Sequence, residues 1–224
     1  MSKNKVLSKR IIMQHCKKLT LLNSQFADLF YEIGPLDFVP KSCELYEALI
    51  RSITSQMIST AAASTITKKL IRRAYALTDD SVETPTVFPP LQLLALLSHD
   101  DLRTVGYSNN KSLAIAEIVA KSISGELQTI AVLESMTDSD IIKLLVPLRG
   151  IGQWSVEMFL IFTLGRANVW PVDDYGVREG FRCWHGDAEQ TKPKQLQLWA
   201  DPYRPYRSVL ALYLWRWADR KKNK

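Results

Sequence analysis

The chain has 224 residues and a net charge of +6; 46% of its residues are hydrophobic and 23% are charged, which indicates a globular protein and excludes wholesale disorder. No apolar run reaches the ~18 residues of a membrane-spanning helix, and residues 1–10 lack the apolar stretch of a secretory signal. The three cysteines, Cys16, Cys43 and Cys183, are scattered, which excludes a disulfide framework or a four-cysteine metal site and suits a reducing compartment.

The positive charge lies at the two ends of the chain. Residues 1–20 hold six Lys or Arg and no acid, and residues 203–224 hold seven with a single acid. Basic ends fit a polyanion partner, because neutralised phosphates release their counterions. Solvated tails are the commoner explanation of such charge, so charge alone does not assign a function.

The hydrophobic pattern is helical along the chain and predicts an all-α protein. A first helix is predicted where apolar residues recur at the spacing of a buried helix face, at Leu45, Leu49, Ile50, Ile53, Met57 and Ile58. Ser59 or Thr60 is expected to cap a second helix that runs to about Arg73. Further helices are predicted at 90–97, at 99–105 after Ser98, at 109–124 between Ser108 and Gly125, and at 138–146 after Thr137.

Residues 145–154 read Leu-Val-Pro-Leu-Arg-Gly-Ile-Gly-Gln-Trp and lie between two predicted helices. The two glycines allow a tight hairpin and a close approach of another backbone. The free N–H groups at the start of the second helix then form an anion site that could hold one DNA phosphate. Taken alone, an ordinary interhelical turn explains Gly-x-Gly at least as well.

The longer string, with leucines at 145 and 148 before Gly-Ile-Gly, resembles the helix-hairpin-helix motif, with Arg149 in place of the usual proline. Four blocks in order extend the resemblance to the 3-methyladenine DNA glycosylase II family of the helix-hairpin-helix DNA glycosylase superfamily. These blocks are residues 52–59, residues 105–111, residues 148–157 with 171–174, and residues 202–215.

The resemblance implies an all-α fold of two lobes with the active-site cleft between them. The central lobe is expected to be residues 45–165 and to contain the helix-hairpin-helix at about 138–163. The second lobe is expected to combine residues 1–44 with 166–224. The additional N-terminal β-domain of some family members is not expected, because residues 1–44 are too few and too helical.

Paired aspartates follow Pro171 and Val172, and by themselves Asp173 and Asp174 are most simply helix N-caps. The resemblance implies that Asp174 is the catalytic carboxylate and that Asp173 caps or shapes the turn. Cleaving an N-glycosidic bond builds positive charge on the sugar, and a carboxylate stabilises that charge. Trp154 stands where the lyase branch of the superfamily carries its lysine nucleophile, so a monofunctional enzyme without lyase activity is expected.

The resemblance places Trp154, Met158, Trp215 and Tyr46 at the pocket for the flipped base, where aromatic faces suit electron-poor alkylated purines. Core packing is the alternative for these side chains. Met57 is implied as the apolar wedge that fills the gap in the duplex.

Further DNA contacts are implied beside the wedge and at the hairpin. Gln56 is expected to hydrogen-bond minor-groove edges or the opposite base. Ser59 stands where some relatives have a larger minor-groove probe. A buried Met57 and a capping Ser59 remain alternatives. Phosphate contacts are expected from Arg149, Gly150, Ile151 and Gly152, and from Lys111, for which a solvated side chain is an equal alternative. No metal is required, although the resemblance allows a Na⁺ or K⁺ ion at the carbonyls of Val146, Leu148 and Ile151.

The implied function is DNA-3-methyladenine glycosylase II activity, which removes 3-methyladenine, 7-methylguanine and similar bases from double-stranded DNA by base flipping, the first step of base excision repair. A monomer is expected, in the bacterial cytoplasm or, for a eukaryotic source, the nucleus, with the bacterial cytoplasm favoured. The alternatives are a non-catalytic protein that binds damaged DNA on the same fold, a glycosylase for other bases, and a helical protein–protein module.

Overall fold

The computed structural model describes residues 6–78 and 85–222, and within these ranges the secondary structure is helical without a β-strand. The all-α prediction is therefore confirmed. The chain divides into two compact units: unit 1 is Met1–Lys41 with Leu160–Lys224, and unit 2 is Ser42–Phe159. Of the predicted basic ends, Lys3, Lys5 and Lys224 lie outside the described residues. None of the described helices has both the length and the apolar character needed to cross a bilayer.

In its described residues, unit 1 holds five complete α-helices and a short 3-10 helix at Asp201–Tyr203. The α-helices are α1 (Lys9–Leu22), α2 (Ser24–Ile33), α11 (Tyr175–His185), α12 (Pro193–Ala200) and α13 (Arg207–Lys222). Helices α11 and α13 pack so closely that a Cβ atom on Gly180 would lie 2.1 Å from the carbonyl oxygen of Leu214. This approach of two backbones is possible because residue 180 has no side chain.

Unit 2 holds α3 (Leu45–Ser55), α4 (Thr60–Ala76), α5 (Leu91–Leu94), α6 (His99–Val105), α7 (Asn109–Ile123), α8 (Ile130–Ser135), α9 (Asp138–Leu145) and most of α10 (Gln153–Phe162). Leu49, Ile50 and Ile53 of α3 are fully buried. Thr54 on the same helix is buried and its hydroxyl lies 2.8 Å from that of Tyr107. Helix α3 is therefore a central element of this unit's core.

Hydroxyl side chains cap four helices of unit 2, α4, α6, α7 and α9, at the predicted positions. Ser59, Ser98, Ser108 and Thr137 each accept a hydrogen bond from the backbone amide three residues on. Ser98 also forms a capping box with Asp101, whose carboxylate accepts from the Ser98 amide. These caps satisfy donors that a helix N-terminus leaves unpaired, and they confirm the predicted helix starts.

The predicted continuation of the first helix face to Met57 and Ile58 is wrong. Helix α3 ends at Ser55, and residues 56–59 form a turn, called the exposed turn below. Met57 is entirely exposed and Ile58 is 37% exposed. The apolar spacing continues past the true helix end. Side-chain spacing carries no information about the backbone conformation of Met57, whose φ is +60°.

Candidate functional site

The predicted catalytic carboxylate, Asp174, begins helix α11 in unit 1. Its side chain is 8% exposed, and Oδ1 accepts a 2.7 Å hydrogen bond from the amide of Val177. The N-cap of α11 is therefore Asp174 and not Asp173, and a role for Asp173 in shaping the turn stays a prediction. Asp173 itself is exposed. Capping and catalysis are compatible, because a carboxylate at a helix N-terminus is both oriented and electrostatically favoured there.

A second donor holds the same oxygen. The indole Nε1 of Trp215, on α13, donates to Oδ1 of Asp174 at 2.6 Å. A Cβ atom on Gly176 would lie 2.6 Å from Cδ1 of Trp215 and 3.1 Å from Oδ1 of Asp174. The indole reaches the carboxylate only because residue 176 is a glycine, so two N–H donors fix the orientation of the acid.

Trp215 also forms part of an aromatic wall in unit 1. Its ring lies 5.4 Å from that of Phe162, which lies 5.8 Å from that of Phe38. These rings border a depression of about 160 Å³ that is lined by Leu36, Phe38, Phe162, Leu212, Trp215, Arg216 and Asp219. Its volume is below the ~300 Å³ of sites for larger ligands, and its aromatic faces suit a flat ring.

The structure brings only one of the four predicted pocket residues, Trp215, to this depression. Trp154 and Met158 lie four residues apart on α10 and are half-buried, so they share a helix face. Tyr46 lies in unit 2, where its hydroxyl donates to the carbonyl of Pro89 at 3.4 Å and burial raises the pKa of its phenol. Roles for these three residues in base binding stay predictions.

The predicted hairpin lies between α9 and α10. The amide of Leu148 donates to the carbonyl of Leu145, and the amide of Ile151 donates to the carbonyl of Leu148, both at 3.1 Å. Gly150 has φ +73°, which favours glycine. A Cβ atom on Gly152 would meet no atom within 4 Å, so the backbone at the start of α10 is open to an approaching group. The free amides of a helix start suit an anion.

The exposed turn carries the predicted wedge. The side chain of Met57 is fully exposed, and its backbone lies in the left-handed region of φ. Non-glycine residues are uncommon and strained in that region. The alternative of a buried Met57 is excluded by this exposure. Ser59 caps α4, as the alternative for that residue predicted.

Gln56 and Lys111 make contacts within unit 2 that differ from the predicted DNA contacts. Nε2 of Gln56 donates to the carbonyl of Gly150 at 2.8 Å and lies 3.2 Å from Oγ of Ser155. The ammonium of Lys111 donates to the carbonyls of Thr54 and Gln56 at 3.2 and 2.8 Å, and burial lowers its pKa. Lys111 therefore closes the carbonyl end of α3, a common role for lysine.

Arg149 adds positive charge to the hairpin, and its guanidinium lies near the carboxylate of Glu117. Its guanidinium Nε lies 3.7 Å from a carboxylate oxygen of Glu117. Exposed ion pairs of this kind contribute ~0–1 kcal/mol, so the guanidinium can exchange Glu117 for a phosphate at little cost.

Sequence reasoning missed several residues of these sites. Phe38, Phe162 and Ser155 carry no local motif that distinguishes them from core residues. Gly176 and Gly180 did carry a signal, because glycines four residues apart lie on one helix face and permit a close neighbour. That spacing could not show that the neighbour is the helix carrying Trp215.

Comparison with known proteins gives consistent matches. A family model described as HhH-GPD superfamily base excision DNA repair protein matches residues 50–204. The alkylbase DNA glycosidase-like protein mag2 of Schizosaccharomyces pombe is 28% identical over 201 residues, covering 89% of this chain and 91% of that protein. DNA-3-methyladenine glycosylase 1 of the same organism is 30% identical over 173 residues, covering 77% and 72%. The structure of S. pombe 3-methyladenine DNA glycosylase Mag1 in complex with abasic DNA matches with a TM-score of 0.77 and 28% identity, covering 91% and 95%.

Proposed function

The chain belongs to the HhH-GPD superfamily of base excision DNA repair proteins, and we propose that it is a DNA glycosylase that hydrolyses the N-glycosidic bond of alkylated purines in double-stranded DNA. Relatives named as 3-methyladenine DNA glycosylases support this substrate class. The activity is that of DNA-3-methyladenine glycosylase II, and the protein acts where genomic DNA is, in the bacterial cytoplasm or the nucleus.

The observation that carries the proposal is the pair of hydrogen bonds that orient the carboxylate of Asp174. Its Oδ1 accepts from the Trp215 indole at 2.6 Å and from the Val177 amide at 2.7 Å, and charge-assisted bonds of this kind hold an anionic carboxylate in one orientation. As the purine leaves, positive charge develops on the sugar, and a fixed carboxylate stabilises it. The same carboxylate can orient or deprotonate the attacking water.

DNA recognition in this proposal divides between backbone and side chains. The hairpin amides near Gly152 hold one phosphate without reading sequence. Met57 enters the duplex in place of the extruded nucleotide, which requires a few kcal/mol of unstacking. The aromatic wall of Phe38, Phe162 and Trp215 receives the flat, electron-poor base.

We propose that the enzyme is monofunctional. A lyase needs an amine that attacks the sugar and forms a Schiff base. Residue 154, two positions after Gly152, is a tryptophan and offers no such amine. The product is then an abasic site in an intact strand.

A monovalent cation at the hairpin is also proposed. The carbonyls of Val146, Leu148 and Ile151 lie at or beyond the C-terminal end of α9, where backbone oxygens lack helical partners. The Leu148 carbonyl accepts one bond, from the amide of Ile151, and retains a second lone pair. These oxygens fit a hard cation such as Na⁺ or K⁺, which would hold the hairpin together beside a phosphate.

Base release from methylated duplex DNA tests the function. Wild type is expected to release 3-methyladenine and 7-methylguanine, and Asp174→Asn to lose at least ~100-fold of the rate, since the carboxylate supplies several kcal/mol of transition-state stabilisation. Asparagine is about as effective a helix cap as aspartate, so folding and binding to an abasic-site analogue should persist in Asp174→Asn. The exposed neighbour gives the matched control, and Asp173→Asn should stay active.

Each outcome of this experiment decides a point. Full activity of Asp174→Asn would overturn the role of the carboxylate. Tight binding of damaged DNA by a wild type that releases no base would establish the non-catalytic alternative. Strand nicking without added alkali would overturn the monofunctional assignment.

A further inference from the structure

We propose that Gln56 is a positioning residue that ties the exposed turn to the hairpin, so that Met57 is held in register with the phosphate that the hairpin grips. The inference rests on the proposed function for the roles of the wedge and of the phosphate site. It concerns unit 2 alone, because residues 56, 57, 111, 150 and 155 all belong to that unit.

The side chain of Gln56 spans the two elements. Its Nε2 donates to the Gly150 carbonyl at 2.8 Å and toward the Ser155 hydroxyl at 3.2 Å. A glutamine amide nitrogen carries two hydrogens, and these two acceptors use both of them. Donation to a base edge would therefore require at least one of these contacts to break, which favours a role for Gln56 as a brace of the protein over one as a reader of the base.

The backbone of the exposed turn is anchored as well. Lys111 donates to the carbonyl of Gln56 at 2.8 Å, and this carbonyl belongs to the peptide group that enters Met57. Met57 then adopts φ +60°. A non-glycine residue stays in that region only where its surroundings over-determine the conformation, and Lys111 and the Gln56 side chain supply two such restraints.

The hairpin end of the brace is equally constrained. Gly150 has φ +73°, and a Cβ atom at that position would lie 3.2 Å from Cβ of Ala114 on α7. The carbonyl that accepts from Gln56 therefore belongs to a residue that packs beside α7 in a conformation that favours glycine. A wedge that is fixed before binding avoids the ordering cost that a mobile loop would pay on entering DNA.

A duplex that carries a tetrahydrofuran abasic analogue beside 2-aminopurine tests this inference without glycosylase chemistry. Wild type should raise the fluorescence as Met57 unstacks the neighbouring base, and Met57→Ala should not. Gln56→Ala and Gln56→Met, which keeps the length but removes the donors, should lower affinity for this duplex about tenfold and reduce the fluorescence toward the Met57→Ala level. Affinity for undamaged duplex should stay within about twofold of wild type.

Gln92→Ala, on the exposed surface of α5, is the matched control and should behave as wild type. The loss in Gln56→Ala should be equal for all four bases opposite the analogue; a loss confined to one opposite base would show that Gln56 reads that base and would overturn the brace. Wild-type fluorescence in both Gln56 variants would also overturn it. If wild type releases no base but inserts Met57, and the Gln56 variants lose that insertion, the proposed glycosylase activity is contradicted and the brace is supported.

Discussion

The indole nitrogen of Trp215 and the carboxylate oxygen Oδ1 of Asp174 lie 2.6 Å apart, although the two residues are 41 positions apart in the chain. The tryptophan therefore does two things at once. Its N–H orients the acid, and its ring forms the end of the aromatic wall with Phe162. Under the proposed function, Trp215 therefore links recognition of the base to the orientation of the carboxylate.

Trp215→Phe keeps an aromatic ring and removes the N–H donor. A hydrogen bond to a charged group contributes ~1.5–3 kcal/mol, so single-turnover base release should slow by roughly 10- to 100-fold. Because most of the ring face remains, affinity for the damaged duplex should change much less than the rate. Phe162→Ala removes a ring of the aromatic wall but leaves the hydrogen bonds to Asp174, so its affinity for the damaged duplex should fall more than its rate of base release. Equal losses of rate and affinity in both variants would contradict these separate roles.

Gly176 and Gly180 on α11 should respond differently to alanine. At Gly180 the new Cβ would meet the Leu214 carbonyl oxygen at 2.1 Å, and a backbone cannot move aside cheaply. Overpacking of this kind costs ~1–3 kcal/mol, which outweighs the ~0.5–1 kcal/mol that alanine gains in a helix. Gly180→Ala should therefore unfold at lower denaturant concentration.

At Gly176 the added Cβ would meet the Trp215 side chain at 2.6 and 2.9 Å and Oδ1 of Asp174 at 3.1 Å, and both side chains can rotate. Gly176→Ala should thus lose activity by displacing the indole from Asp174, with a smaller loss of stability than Gly180→Ala. Urea titration and base-release rates on the two variants compare these effects directly. A Gly176→Ala enzyme with the wild-type rate would show that the indole contact is dispensable.

Local chemistry accounts for what the sequence could predict. Ser59, Ser98, Ser108 and Thr137 cap helices with their own neighbours, so the signal and the contact lie within three residues of each other. The end of α3 could not be predicted in this way, because it depends on Lys111, which closes that end from α7. An apolar periodicity that continues into Met57 carries no trace of this distant contact.

The site shows the same division. The resemblance to the glycosylase family indicated Asp174, the hairpin glycines and Met57 as the wedge, and each of these lies in a short stretch of chain that carries its own motif. Motif spacing did not indicate Phe38 as a neighbour of Phe162, or the brace from Gln56 to Gly150 across 94 positions. Such contacts are fixed by packing, which a single sequence does not display.

Gly152→Ala separates DNA binding from folding at the hairpin. No atom lies within 4 Å of the added Cβ, so thermal stability should stay close to wild type. A phosphate that approaches the backbone of residue 152 would meet the methyl group, so affinity for any duplex should fall about tenfold, independent of the lesion. Gly150→Ala is the contrasting variant, because φ +73° and the Ala114 contact at 3.2 Å predict a loss of stability as well. Unchanged duplex affinity of Gly152→Ala would place the phosphate elsewhere.

Asp101 should make unit 2 sensitive to acid. Hydrogen bonds from the Ser98 side chain and backbone, and then from Arg73, lower the pKa of its carboxyl from 3.8 to about 2. A group with a lowered pKa contributes stability above its unfolded value, and that contribution is lost as the pH falls toward the folded value. Wild type should therefore lose stability between about pH 4 and pH 2. Asp101→Asn should be less stable at pH 7 and lose less over that window; parallel denaturation curves of the two proteins across the window would contradict this.

Lys111→Gln distinguishes the capping role from the predicted phosphate contact. The ammonium donates to the carbonyls of Thr54 and Gln56, so its removal should destabilise the exposed turn and weaken wedge insertion at an abasic analogue. A direct phosphate contact would instead change the dependence of binding on salt, because each neutralised phosphate contributes about 0.9 to the slope of log K against log salt. We expect this slope to be unchanged in Lys111→Gln for undamaged duplex DNA. A slope reduced by about one would show that Lys111 contacts a phosphate. The hydrogen bonds of Lys111 to the end of α3 would then be present only in the absence of DNA.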